Sequence, residues 1–152
     1  MPALASEDDA ERFLTAGGRD DAERLGRFLK ASDYACELVL CSPARRTRDT
    51  LEAVLSQCCS RPMVRFLKEL YLADAKTIRA AVAGASDTVG VLMIVGHNPG
   101  LETYARRLTG SAPSFPACAA AIVDLTADRW SEAAAGPGRL ERFVRAGDLP
   151  PE

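Results

Sequence analysis

The stretch Val89-Gly90-Val91-Leu92-Met93-Ile94-Val95 is an unbroken apolar run that ends in Gly96-His97-Asn98-Pro99-Gly100. A run of that length without alternation reads as a strand covered on both faces, so it is expected in the middle of a sheet. The residues around it follow a matching rhythm. Ala22, Leu25, Phe28 and Leu29 recur at helical spacing between Gly18 and Lys30, with Thr15 placed to cap that helix. Glu37 to Cys41 reads as a strand, and Ser42-Pro43 as the cap and first turn of a second helix that carries Leu51, Val54 and Leu55 inward. Met63 to Leu67 resumes as a strand, Ala75 to Ala83 as a helix, and Leu101, Tyr104, Ala105 and Leu108 mark the helix after Gly100. Two strands close the chain, Cys118 to Leu125 and Leu140 to Arg145. This alternation predicts an α/β three-layer sandwich, a mostly parallel sheet with helices on both faces. The series opens on a helix that no strand precedes.

The 152 residues fit one domain, residues 1–152, with loose ends at 1–9 and 148–152. A formal charge of −2 gives no positive field for nucleic acid or anionic lipid. No apolar run approaches the roughly 18 residues of a membrane span. A soluble, cytoplasmic protein is expected. The five cysteines, Cys36, Cys41, Cys58, Cys59 and Cys118, are odd in number and lack C-x-x-C spacing, which suits reduced thiols better than a zinc site or a disulfide framework. With a single histidine, His97, no metal site of several imidazoles can form, and no cofactor is implied.

In open α/β sheets ligands bind beyond the carboxyl ends of strands, where helix N-termini present unpaired N–H groups. Two segments have that setting. Ser42-Pro43-Ala44-Arg45-Arg46-Thr47-Arg48 puts three arginines into the opening turns of a helix, where cations oppose the macrodipole unless an anion lies among them. The plainer reading pairs Arg45 with Asp49 and Arg48 with Glu52 on a solvated face, leaving Arg46 without an acid four residues on. The second segment places His97 at a strand's end just before a helix. Together an imidazole and a guanidinium above one sheet edge make an anion pocket suited to phosphoryl transfer. A thiolate phosphate cradle at Cys59 to Arg65 is rejected, because that segment has no glycine and runs from helix into strand rather than from strand into helix. Gly17-Gly18 is a turn, not a phosphate loop.

Arg12-Phe13-Leu14-Thr15-Ala16-Gly17-Gly18, Leu40-Cys41-Ser42-Pro43-Ala44-Arg45-Arg46, Glu69-Leu70-Tyr71 and Val95-Gly96-His97-Asn98-Pro99-Gly100, in that order, resemble the histidine phosphatase superfamily, in particular its small SixA-like phosphohistidine phosphatases. The resemblance runs from about Arg12 to Arg145. It implies that Arg46 binds phosphate, that His97 is the second histidine contacting the transferred phosphoryl group, and that Ser42 and Asn98 shape the pocket. It places Glu69 near the general acid, with Asp74 as competitor and a surface carboxylate as the alternative for Glu69.

The family's opening strand, ending in arginine-histidine-glycine or arginine-histidine-alanine, carries the nucleophile, and this sequence has no such segment. The expected fold therefore lacks the family's first strand, and its loss should leave backbone groups unpaired in the sheet. Two readings follow. In one, Met1 is a misassigned start and the full product is a phosphohistidine phosphatase. In the other, the chain is a catalytically dead pseudophosphatase that binds phosphate or a phosphorylated protein. Neither reading fixes the substrate, since no insertion is long enough for a lid and both a protein phosphate and a small phosphomonoester would reach the pocket. Glu7-Asp8-Asp9 lies near the pocket's expected mouth, where it would disfavour very anionic substrates or serve only as a solvated terminus.

Overall fold

The computed structural model describes residues 7–32, 34–58, 61–111, 114–116 and 118–150. Its organising strand is β1, Leu38–Cys41, all four residues of which are buried. β1 pairs in parallel with β2, Met63–Phe66, on one edge and with β3, Leu92–Val95, on the other. Side-chain alternation splits β1 between two layers. Leu38 and Leu40 pack with Ile78 and Val82 of α4, Ala75–Ala83, and with Tyr104 and Leu108 of α5, Gly100–Thr109. Val39 and Cys41 turn the other way, onto Leu51 of α3, Arg45–Gln57. Helix α2, Ala16–Ala31, lies on the α3 side and packs Ala22 and Leu25 against Ala53 and Val54. Its cap is Thr15, whose hydroxyl accepts from the Gly18 amide at 3.0 Å, as the sequence suggests.

The last two strands, β4 (Ala119–Leu125) and β5 (Gly138–Arg145), form an antiparallel pair that is a sheet of its own. The short helix α6, Trp130–Ala133, joins them. Val123 and Leu125 of β4 belong to the same apolar layer as Leu92 and Ile94 of β3, while Val144 and Ala120 join the α2 side. Helices thus cover both faces of the strands, and the three-layer arrangement holds.

The position of β3 differs from expectation. Among the described residues it pairs only with β1, so it is an edge strand, and all four of its residues are half-buried rather than buried. The apolar run reports coverage of both faces, with Leu92 and Ile94 in the layer of Leu101 and Val123 and Met93 and Val95 in the layer of Leu51 and Leu55, which needs no second strand neighbour. β4 likewise pairs only with β5. Among the described residues the strands therefore fall into two sheets, β2-β1-β3 and β4-β5.

Two local readings are also corrected. Ser42 does not cap α3, which begins at Arg45 after an extended Ala44 that gives no side-chain cap. Residues 7–9 of the end read as loose, 1–9, form with Ala10 a helical turn, α1, Glu7–Ala10. At the other end a 3-10 turn covers Ala146–Asp148, and residues 1–6 and 151–152 lie outside the described residues, as does Cys59 of the rejected thiolate cradle. Cys36, Cys41 and Cys118 are free thiols. No described helix is long and apolar enough to cross a membrane.

Gly26 is where α2 and α3 come closest. A Cβ there would run into the Val54 carbonyl and the Gln57 Cβ, backbone and stem atoms that cannot swing aside. Gly26→Ala should therefore lower stability by about 1–3 kcal/mol in urea unfolding, although alanine is the better helix former. A change within roughly 0.5 kcal/mol would mean that the two helices separate without cost.

Candidate active site

The site is assembled by the parallel register of β1 and β3. Cys41 stands beside Val95, and the Ser42 amide extends the ladder by donating to the Val95 carbonyl at 2.9 Å. The two chains therefore leave the sheet side by side, one into Ser42-Pro43-Ala44 and the other into Gly96-His97. Buried Thr47 fixes the first bend, its hydroxyl lying 2.8 Å from both the Ser42 and Ala44 carbonyls. The second bend is held by the Leu101 amide, which donates to the His97 carbonyl at 3.1 Å.

His97 is buried, with both ring nitrogens engaged. Nδ1 lies 3.2 Å from an Arg46 guanidinium nitrogen, and Nε2 lies 2.8 Å from the Ser42 hydroxyl. Because a guanidinium can only donate, Nδ1 must accept and the proton must sit on Nε2, which donates to Ser42. The Ser42 oxygen also accepts from the Ala44 amide at 3.3 Å, leaving its own proton to point elsewhere. Burial, reinforced by the Arg46 charge and opposed by Asp9, holds the imidazole pKa down to about 4. At neutral pH His97 is an uncharged hydrogen-bonding group beside a cation. Tyr71 packs edge-on against its ring at 5.4 Å.

Arg46 is the one arginine of its cluster that reaches this site. Its guanidinium also donates to the Asp9 carbonyl at 2.9 Å and meets the Asp9 carboxylate at 3.4 Å. Tyr71 donates its hydroxyl to the same carboxylate. Arg45 instead lies over the Phe13 ring at 3.9 Å and 4.0 Å from Asp49, the pairing that the plainer reading gives it. Arg48 donates to the Pro43 carbonyl at 2.9 Å, and Glu52 pairs with Arg19 at 3.1 Å rather than with Arg48.

The remaining sequence candidates stand apart from this cluster. Asn98 braces the loop, donating to the Phe115 carbonyl at 3.1 Å and accepting from the Glu102 amide at 3.2 Å. Glu69 is exposed in a 3-10 turn, Lys68–Leu70. Asp74 caps α4 by accepting from the Thr77 amide at 2.9 Å. Among the described residues no three histidine, cysteine or acidic side chains are grouped to hold a metal. Cys41 is buried and its thiol is pushed up to about 11 by desolvation, which leaves it inert as a nucleophile. Asp9 and Tyr71 are the additions. The acidic stretch before Ala10 was the sequence signal for Asp9, and Tyr71 stands in the Glu69-Leu70-Tyr71 segment of the resemblance, which assigned it no role.

Known proteins give this geometry a context. The sequence profile of the histidine phosphatase superfamily (branch 1) matches residues 4–78. An uncharacterised Mycobacterium leprae protein is 33% identical over 132 residues, covering 80% of this chain and 79% of its own. An uncharacterised chloroplastic protein of Arabidopsis thaliana is 30% identical over 149 residues, covering 90% of this chain and 68% of its own. A structure from Nakamurella multipartitia, assigned as a SixA phosphohistidine phosphatase, superposes with a TM-score of 0.81 at 27% identity, over 94% of this chain and 90% of that one. SixA in complex with tungstate superposes equally well, with a TM-score of 0.81 at 24% identity, over 97% and 93%.

The neutral imidazole is directly measurable, since His97 is the sole histidine in the chain. Its ring resonances should titrate with a midpoint near 4, and a midpoint near 6.5 would show that the ring is solvated. A depressed folded-state value stabilises the fold above the unfolded pKa, and that contribution is lost as pH falls from about 6.5 to 4. At pH 5 the loss is roughly 2 kcal/mol. His97→Asn should flatten this part of the stability profile in pH-dependent thermal melts.

Proposed function

We propose that this chain, which belongs to the histidine phosphatase superfamily and has its SixA-like fold, binds a phosphoryl group at Arg46 and His97 and is the body of a phosphohistidine phosphatase. The observation that carries the reading is the 3.2 Å contact between the Arg46 guanidinium and the His97 imidazole at the carboxyl ends of adjacent parallel strands. A guanidinium offers paired donors to two phosphoryl oxygens, and the neutral imidazole, whose N–H goes to Ser42, adds no second charge and leaves the Ser42 hydroxyl proton to donate. The first turn of α3, which no side chain caps, presents backbone N–H groups on the same side. The tungstate held by SixA, a tetrahedral oxyanion, fits such a site.

Turnover needs a nucleophile as well. In the mechanism that the family implies, a second histidine attacks phosphorus, the leaving group departs with a proton from a carboxylate, and water then cleaves the phosphohistidine. Glu69 is the proposed proton donor, with Ser42 and Asn98 shaping the pocket wall, and neither metal nor cofactor takes part. The attacking histidine has no counterpart in this sequence. The edges of β3 and β4, unpaired among the described residues, support a missing strand as its carrier, because a strand parallel to β3 would end beside His97. Substrates in this reading are phosphohistidine proteins or small phosphomonoesters, met in the cytoplasm. A pseudophosphatase that binds a phosphorylated partner is the second reading, favoured by the single imidazole of the site.

One comparison separates them. Hydrolysis of p-nitrophenyl phosphate and of a phosphohistidine peptide is measured for the 152-residue chain and for a chain extended to the nearest upstream start. Turnover by the extended chain alone, reduced by at least about a hundredfold in Arg46→Ala, is the expected result. Turnover by neither supports the binding protein, and turnover by the short chain would overturn the histidine mechanism.

A further inference from the structure

The anion pocket already contains an anion. The Asp9 carboxylate lies 3.4 Å from the Arg46 guanidinium, accepts the Tyr71 hydroxyl, and is also 3.3 Å from Arg12. The Asp9 carbonyl takes a further Arg46 N–H at 2.9 Å. Donors that a phosphoryl group would use are therefore satisfied from within the chain. The Tyr71 hydrogen bond and then the Arg46 and Arg12 charges hold the Asp9 carboxyl below its ordinary value, so it is ionised at neutral pH.

The segment that delivers Asp9 is lightly held. Between Glu11 and Gly17 only Leu14 is even half-buried, and Phe13 is 64% exposed. Beyond the Asp9 contacts it meets α3 through the Leu14 amide, 3.5 Å from the Asp49 carboxylate, and through Arg45 over the Phe13 ring. These are polar and stacking contacts at the surface, the kind that open locally at small cost. Arg46, in contrast, is one-fifth exposed and rooted in α3.

We propose that Asp9 is an internal competitor for the phosphoryl site, a carboxylate that holds Arg46 and Tyr71 until a phosphate displaces it, and so sets which anions the pocket admits. This rests on the phosphate-binding reading above and adds a consequence to it. With Asp9 in place the Arg46 charge is offset and His97 is neutral, so an incoming phosphate dianion meets a field weakened to that of the more exposed Arg12. Substrates whose phosphoryl group carries less negative charge, or whose leaving group is cationic as a protonated imidazole is, are penalised least.

The test is the affinity of the full 152-residue chain for inorganic phosphate, by calorimetry, for the wild type and for Arg46→Ala, Asp9→Asn and Tyr71→Phe. Asp9→Asn removes the charge at constant shape and should tighten phosphate binding roughly tenfold. Tyr71→Phe, which keeps the ring against His97 while loosening Asp9, should tighten it less and serves as the deciding variant if Asp9→Asn does not fold. Binding that is Arg46-dependent but unchanged or weaker in both variants overturns the proposal, with Asp9 then a group that merely positions Arg46, and leaves the phosphate site standing. Binding absent from every variant, Asp9→Asn included, overturns the phosphate site and the proposal together.

Discussion

The parallel register of β1 against β3 is the constraint from which the site follows. Because Cys41 and Val95 are level, the chains emerge together, and Ser42 and His97 can share a 2.8 Å hydrogen bond across 55 positions of sequence. A slip of one residue would turn Leu38 and Leu40 from the α4–α5 layer into the α3 layer, so the packing that fixes the register also fixes the site. The close approach of α5 adds to this. A Cβ on Gly100 would collide with the Ala73 carbonyl, which ties the start of α5, three residues after His97, to the segment leading into α4.

Within that frame the electrostatics are set by one asymmetry. Arg46 carries its charge under all ordinary conditions, whereas His97 is kept neutral by burial and by that same charge. The pair is therefore a single cation with an extra hydrogen-bonding ring rather than two cations. Such a pair avoids the repulsion that two protonated groups 3.2 Å apart would store, and it leaves the imidazole's tautomer fixed by its neighbours. Ser42 completes the arrangement from the far side of the ring. Its hydroxyl holds His97 instead of capping α3, whose first turn starts three residues later at Arg45 with no side-chain cap.

Much of this was legible in the sequence, for identifiable reasons. Arg46, Ser42 and His97 are each encoded locally, by an apolar strand running into a helix start, and strand-to-helix turns gather at one edge of a parallel sheet. The layers were legible too, since helical spacing placed Leu25, Leu51, Val54 and Leu108 where the packing finds them. What escaped is non-local. Asp9 meets Arg46 across 37 positions and Tyr71 across 62, and no periodicity encodes such returns. The edge position of β3 escaped for a different reason. Hydrophobic pattern registers whether faces are covered, and pairing along an edge is a backbone property to which side chains are blind.

That distinction bears on function. The edge of β3 ends at Gly96-His97, so whatever backbone pairs with it in parallel arrives at the anion pocket with its carboxyl end. The half-buried Leu92, Ile94 and Val123 form the floor along which it would lie, and they already share one apolar layer although β3 and β4 are not hydrogen-bonded. Arg46, His97 and Ser42 meet on β1, β3 and α3, and their mutual contacts are made without that neighbour. In the proposed reading the binding half of the site rests on these elements and the attacking group on another strand, so the first can be built in a chain that holds one imidazole.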